Sequence, residues 1–136
     1  MKIDTFSLQR VRFMPDSLVP GILYVSEEYG TAAHLCACGC GAKIRTPLGP
    51  TEWTFWDTAT GPSLSPSIGN WQQACQSHYL IQEGRVEWAT KWSQNQILAG
   101  RRHEEERRRA YYDRLNPPSL WQRFWRWLKS LFRQNA

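Results

Sequence analysis

The residues of this 136-residue chain whose types and spacing suit chemistry are four cysteines and one histidine. They stand as Cys36-Ala37-Cys38-Gly39-Cys40-Gly41 and, further on, Cys75-Gln76-Ser77-His78, and they account for every cysteine present. Three thiols at alternate positions sit too close along the chain to pair comfortably as disulfides. Zinc takes four thiolate or imidazole ligands in a tetrahedron, and Cys-x2-His is a familiar half-site for it. Five candidates therefore compete for four places. In one set, Cys36, Cys38, Cys40 and Cys75 close around Zn2+ and His78 is free. In the other, slightly favoured by spacing alone, His78 joins Cys75 and one thiol of the triplet is spare. The first set has the merit of leaving no orphan thiol. His34, two residues before Cys36, is a weaker sixth candidate.

A free His78 matters because of the run Ser63-Leu64-Ser65-Pro66-Ser67-Ile68-Gly69 before it. A serine becomes a nucleophile when a neighbouring base takes its proton, and histidine is the usual base. Ser67 is the first choice, lying past the proline beside Ile68 and Gly69. Ser65 is the second. Ser77, adjacent to His78, points to the opposite face of a strand. Asp57 and Glu87 are equal candidates for a third group orienting the imidazole. Against this, Ser-Pro-Ser is an ordinary turn sequence.

The elements that must hold these groups are short strands up to about Thr90. Ile22 to Val25, Ala32 to Cys36, Lys43 to Arg45 and Trp53 to Trp56 read as strands. Ser77 to Ile81 and Arg85 to Trp88 flank Glu83-Gly84 as a hairpin. Gly39 and Gly41 give the cysteine turn backbone freedom to wrap a metal. A helix is expected from Lys91 to about Leu115, and its mixed-charge stretch Arg101 to Arg109 is an ordinary solvated face. Asn116-Pro117-Pro118 breaks that helix, and Ser119 caps a last one running towards Arg133. Strands first and helices second predict an α+β fold: a small antiparallel β domain (1–90) stapled by one zinc, then a helical C-terminal extension (91–136).

The formal net charge is +5, and +4 of it lies in the last helix, on Arg123, Arg126, Lys129 and Arg133. Leu120, Trp121, Phe124, Trp125, Leu128, Leu131 and Phe132 share one face of that helix by their spacing. Docking on the domain or on a partner is the expectation, with contact to a membrane surface less favoured. The +1 left for the rest of the chain is a poor surface for tracking a nucleic-acid backbone. No apolar run follows Met1-Lys2-Ile3-Asp4-Thr5 as in a secretory leader, and none is long enough to span a bilayer. A reducing cytoplasm is the expected location, and it favours metal ligation over disulfides.

The ordered succession of three motifs resembles a bacterial family of uncharacterised zinc-binding domains. The motifs are His34-Leu35-Cys36-Ala37-Cys38-Gly39-Cys40-Gly41, Leu64-Ser65-Pro66-Ser67-Ile68, and Cys75-Gln76-Ser77-His78-Tyr79-Leu80-Ile81 with Gly84 and Val86-Glu87-Trp88. Members are encoded beside ubiquitin-like proteins and ubiquitin-activating-like and ubiquitin-conjugating-like enzymes. The likeness covers roughly residues 20 to 90 and leaves out the helical tail. It implies a serine peptidase that trims or removes a ubiquitin-like protein, recognising that protein's extended C-terminal tail by strand addition. By position it makes Ser67 (or Ser65) the nucleophile, His78 the general base, and Cys36, Cys38, Cys40 and Cys75 the metal ligands. Gly69 is placed near an oxyanion hole. The alternative it implies is a non-catalytic zinc adaptor, or a ligase-like module, binding the conjugating or activating enzyme.

Overall fold

The computed structural model describes residues 1–116 and 119–134, the last by its backbone alone. Eight strands precede two helices, the α+β order expected from the pattern. They are β1 (Ser7–Arg10), β2 (Ile22–Ser26), β3 (Thr31–Leu35), β4 (Lys43–Pro47), β5 (Thr54–Thr58), β6 (Gly61–Gly69), β7 (His78–Gln82) and β8 (Arg85–Trp88), then α1 (Gln94–Leu115) and α2 (Leu120–Gln134). The chain divides into two compact units, Met1–Ile97 and Leu98–Ala136.

Two four-stranded sheets, β1-β2-β3-β4 and β5-β6-β7-β8, build the first unit. All neighbours are antiparallel except β1 and β2, which run parallel, a pairing the sequence did not disclose. The two sheets share one core, Leu23, Val25, Ala32 and Ile44 meeting Leu64, Ile68, Tyr79 and Ile81. Each large aliphatic side chain buried there stabilises the fold by about 2 kcal/mol. Residues just before β1 stitch the sheets together. The Phe6 amide donates to the Gly84 carbonyl and the Val86 amide to the Asp4 carbonyl, at 2.7 and 2.9 Å.

The Ser-Pro-Ser run, legible as a turn, lies inside the nine-residue strand β6. Its identity as a strand comes from its neighbours. Leu64 pairs with Ile81 and Ile68 with Tyr79, so four steps along β6 match two along β7 and residues 65–67 form a bulge. A bulge of this kind breaks strict alternation and re-aims a side chain. The β7–β8 hairpin forms in the expected register, with Ile81 opposite Val86.

Helix α1 begins at Gln94, three residues after the expected Lys91, because Ser93 caps it. The Ser93 amide donates to Gln96 Oε1 and the Gln96 amide to Ser93 Oγ, a reciprocal capping box. Ser119 and Gln122 repeat the device at α2. The Pro117-Pro118 breaker lies outside the described residues.

Candidate active site and cysteine cluster

Cys36 follows directly on β3 and Cys38 and Cys40 lie in the turn to β4, while Cys75 lies in the loop between β6 and β7. The turn closes through the Cys36 amide on the Ala42 carbonyl and the Gly39 amide on the Cys36 carbonyl. Gly39 has a φ of 88°, and a Cβ there would overlap the Met1 carbonyl, so glycine is required on both counts. Cys36 Sγ lies 3.5 Å from Cys38 Sγ and 3.8 Å from Cys75 Sγ, and Cys40 Sγ lies 3.8 Å from Cys75 Sγ. All four sulfurs lie within 4.8 Å of one another. A tetrahedral ion with metal–sulfur bonds of ~2.3 Å needs sulfur–sulfur edges of roughly 3.8 Å, so the donor set fits a thiolate-ligated metal.

Neighbouring groups support that fit. Asn70 Nδ2 donates to Cys36 Sγ at 3.4 Å and Ser77 Oγ to Cys75 Sγ at 3.1 Å, the kind of outer contact that orients metal-bound sulfur. Burial pushes the Cys36 thiol up. At Cys38 burial acts in the same sense, but hydrogen bonds from Ser77 and Cys40 prevail and draw it down to about 6. Thiols this close cannot all ionise unless a cation balances them.

His78 takes no part in the cluster. Its Nε2 lies 2.8 Å from Ser67 Oγ and its Nδ1 2.7 Å from the Thr90 carbonyl oxygen. The Cys-x2-His half-site favoured by spacing is therefore not formed, because both ring nitrogens face other partners. A carbonyl only accepts, so Nδ1 carries the ring proton and Nε2 presents its lone pair to the Ser67 hydroxyl, which donates. This is the arrangement in which an imidazole can accept the proton of an attacking serine.

The sheet explains why these three groups meet. Gly69 pairs with His78 across β6 and β7, so Ser67, two residues before Gly69, is a diagonal neighbour of the imidazole. On the other side the β7–β8 ladder continues past Trp88, with the Ala89 amide donating to the His78 carbonyl at 2.8 Å. The next residue, Thr90, then delivers its carbonyl to Nδ1. Gly69 contributes by lacking a side chain: a Cβ there would come within 2.5 Å of Trp71 Nε1. The Trp71 ring lies 5.0 Å and the Trp92 ring 5.2 Å from the imidazole, and the two indoles stack on each other at 5.7 Å. The histidine is thus buried to 6 % exposure behind an indole pair, while Trp92 stays 40 % exposed.

The other expected residues fall elsewhere. Ser65 is exposed on β6 opposite Thr54, and His78 Nε2 is taken by Ser67. Ser77 is turned to the cysteines. Neither acid orients the imidazole: Asp57 on β5 faces Arg10 at 3.7 Å, and Glu87 on β8 pairs with Leu80. The Thr90 carbonyl takes that place, and a main-chain oxygen has no side-chain signature to search for. The Trp71 and Trp92 pair was missed too, although two tryptophans flanking a histidine by seven and fourteen positions were visible. His34 stays outside the cluster, its Nε2 2.7 Å from the Tyr79 hydroxyl, and burial holds its pKa down to about 4.

A hydroxyl on the basic nitrogen of an oriented imidazole is the constellation of the serine hydrolases, here on a two-sheet fold carrying four gathered thiols. A family model described as "Bacterial ubiquitination-like system serine protease (BubE)" matches residues 10–89, and the chain belongs to that family. No curated protein and no solved structure matches the chain.

Proposed function

We propose that Ser67 and His78 are the nucleophile and general base of a serine peptidase that processes or removes a ubiquitin-like protein. The observation that carries this reading is the 2.8 Å contact between Ser67 Oγ and His78 Nε2, with Nδ1 anchored on the Thr90 carbonyl. Ser67 Oγ attacks the scissile carbonyl as its proton passes to Nε2. The imidazolium so formed keeps its Nδ1–H on the Thr90 oxygen and gives the Nε2 proton to the leaving amine. Water then repeats the sequence to release the new carboxylate and restore Ser67. A neutral carbonyl fixes tautomer and orientation as a carboxylate would, with less charge to stabilise the imidazolium.

The substrate of this reading is the extended C-terminal tail of the ubiquitin-like protein. The β5–β6 ladder ends at Ser65, so the stretch from Pro66 to Gly69 continues past the end of β5. An extended tail paired along that stretch would bring its carbonyl to Ser67. The four cysteines hold Zn2+ in a closed site with no open position, which makes its duty structural. The same closed site is the observation favouring the second reading, a zinc-stabilised adaptor that binds the ubiquitin-activating-like or ubiquitin-conjugating-like enzyme without cleaving anything.

A fluorophosphonate probe, which reacts with activated serines whatever the peptide substrate, separates the two. Covalent label mapped to Ser67 and lost in Ser67→Ala and His78→Ala is the expected result. An unlabelled wild-type chain, together with no cleavage of a ubiquitin-like protein fused to a reporter, leaves the adaptor.

A further inference from the structure

Helix α2 carries a feature the peptidase does not use. On a wheel of about 100° per residue, its large apolar side chains fill one continuous arc of roughly 160°, and no charged residue enters it. Trp127, three residues after Phe124, belongs to the same face. Trp121, Phe124, Trp125, Trp127, Leu131 and Phe132 are all exposed, Trp121 and Phe132 to 72 % each. The opposite arc holds Arg123, Arg126, Lys129 and Arg133 and no acid. Helix α1 is the contrast, with Glu104, Glu105 and Glu106 among its arginines and only Ile97 buried.

We propose that α2 lies flat on an anionic membrane surface. Three properties favour a lipid leaflet over a protein groove, and they reverse the preference drawn from the sequence. A helix in a groove inserts a narrow stripe of anchors, whereas this apolar face spans nearly half the circumference, the share a helix sinks into the headgroup–acyl boundary. Three of its large side chains are indoles, whose amphipathic rings settle at headgroup depth. Arg123 and Lys129 border that face on stems long enough to reach lipid phosphates while their methylenes stay in the apolar layer, and Arg126 and Arg133 add positive charge further round the polar arc. The helix is on the order of 22 Å long, short of a bilayer core of about 30 Å. In keeping with that, no described helix is long and apolar enough to cross a membrane. The consequence is a catalytic unit tethered to the leaflet, so that ubiquitin-like conjugates at the membrane become its preferred substrates.

The test is co-sedimentation of the full chain with vesicles of phosphatidylcholine alone and with about one-third phosphatidylglycerol, at physiological salt. Binding to the anionic vesicles on the order of a hundredfold tighter is expected from four surface cations. Arg126→Gln with Lys129→Gln should weaken it on the order of tenfold. Trp125→Glu with Phe132→Glu should abolish it, with fluorophosphonate labelling of Ser67 retained as a check of the folded catalytic unit. Failure to sediment with anionic vesicles, equal binding to neutral ones, or indifference to both double variants overturns the proposal. So does α2-dependent capture of the ubiquitin-like protein by a chain that ignores vesicles.

Discussion

Cys75 and His78 stand three residues apart, yet they serve two regions with different physics. Cys75 faces a cluster of soft donors whose mutual repulsion calls for a cation. His78 faces a hydroxyl and a carbonyl behind two indoles. Ser77 and Tyr79 fall on the cysteine side, Ser77 on the sulfurs and Tyr79 through its hydroxyl on the Ala37 amide. A Cys-x2-His spacing thus identifies a half-site only when the backbone curls both side chains to one point. Here the strand β7 starts at His78, and the pleat turns successive side chains to opposite faces.

The division can be broken experimentally. The largest effect belongs to the dyad: Ser67→Ala should lower cleavage of a ubiquitin-like fusion by a factor on the order of a thousand or more. Ser65→Ala should leave it nearly intact, and equal losses from both variants would remove Ser67 from its role. His78→Ala should match the Ser67→Ala defect while retaining wild-type metal per chain by elemental analysis. Metal lost from His78→Ala would merge the two regions into one site.

Next comes the cluster. Cys75→Ser, or chelator treatment, should release the metal and destabilise the first unit by several kcal/mol, read as a large fall in Tm. An unchanged melting curve would make the thiols a group of ordinary buried cysteines. Smaller is the effect of Gly69→Ala, whose new Cβ displaces Trp71 from the imidazole. A loss in kcat on the order of tenfold with metal content unchanged is expected, since a misplaced base costs rate and not binding. The smallest effects belong to Asp57→Asn and Glu87→Gln, which should keep activity within about twofold. A large loss in either would restore a carboxylate to the imidazole and displace the Thr90 carbonyl.

The strands, the hairpin and the strand-then-helix order were legible because alternation and turn residues are local signals. Strand β6 was the exception. Ser65, Pro66 and Ser67 carry turn chemistry, and they stay within a strand because Leu64 and Ile68 on either side pair with β7 and Ser65 pairs with β5. Local propensity loses there to partners distant in sequence.

Much of what this protein is follows from residue type and order alone. The four thiols, the candidate serines and the histidine, the α+β sequence of elements and the basic amphipathic tail all stand in the chain before it folds. Which thiols converge, which serine meets the histidine and what orients its ring were settled by tertiary structure. The reason is physical: the bulge at 65–67 chooses Ser67 over Ser65, Cys75 stays in the turn ahead of β7 while His78 enters the strand, and the β8 extension carries the Thr90 carbonyl to Nδ1. Each is a property of paired backbones, which no single stretch of sequence specifies.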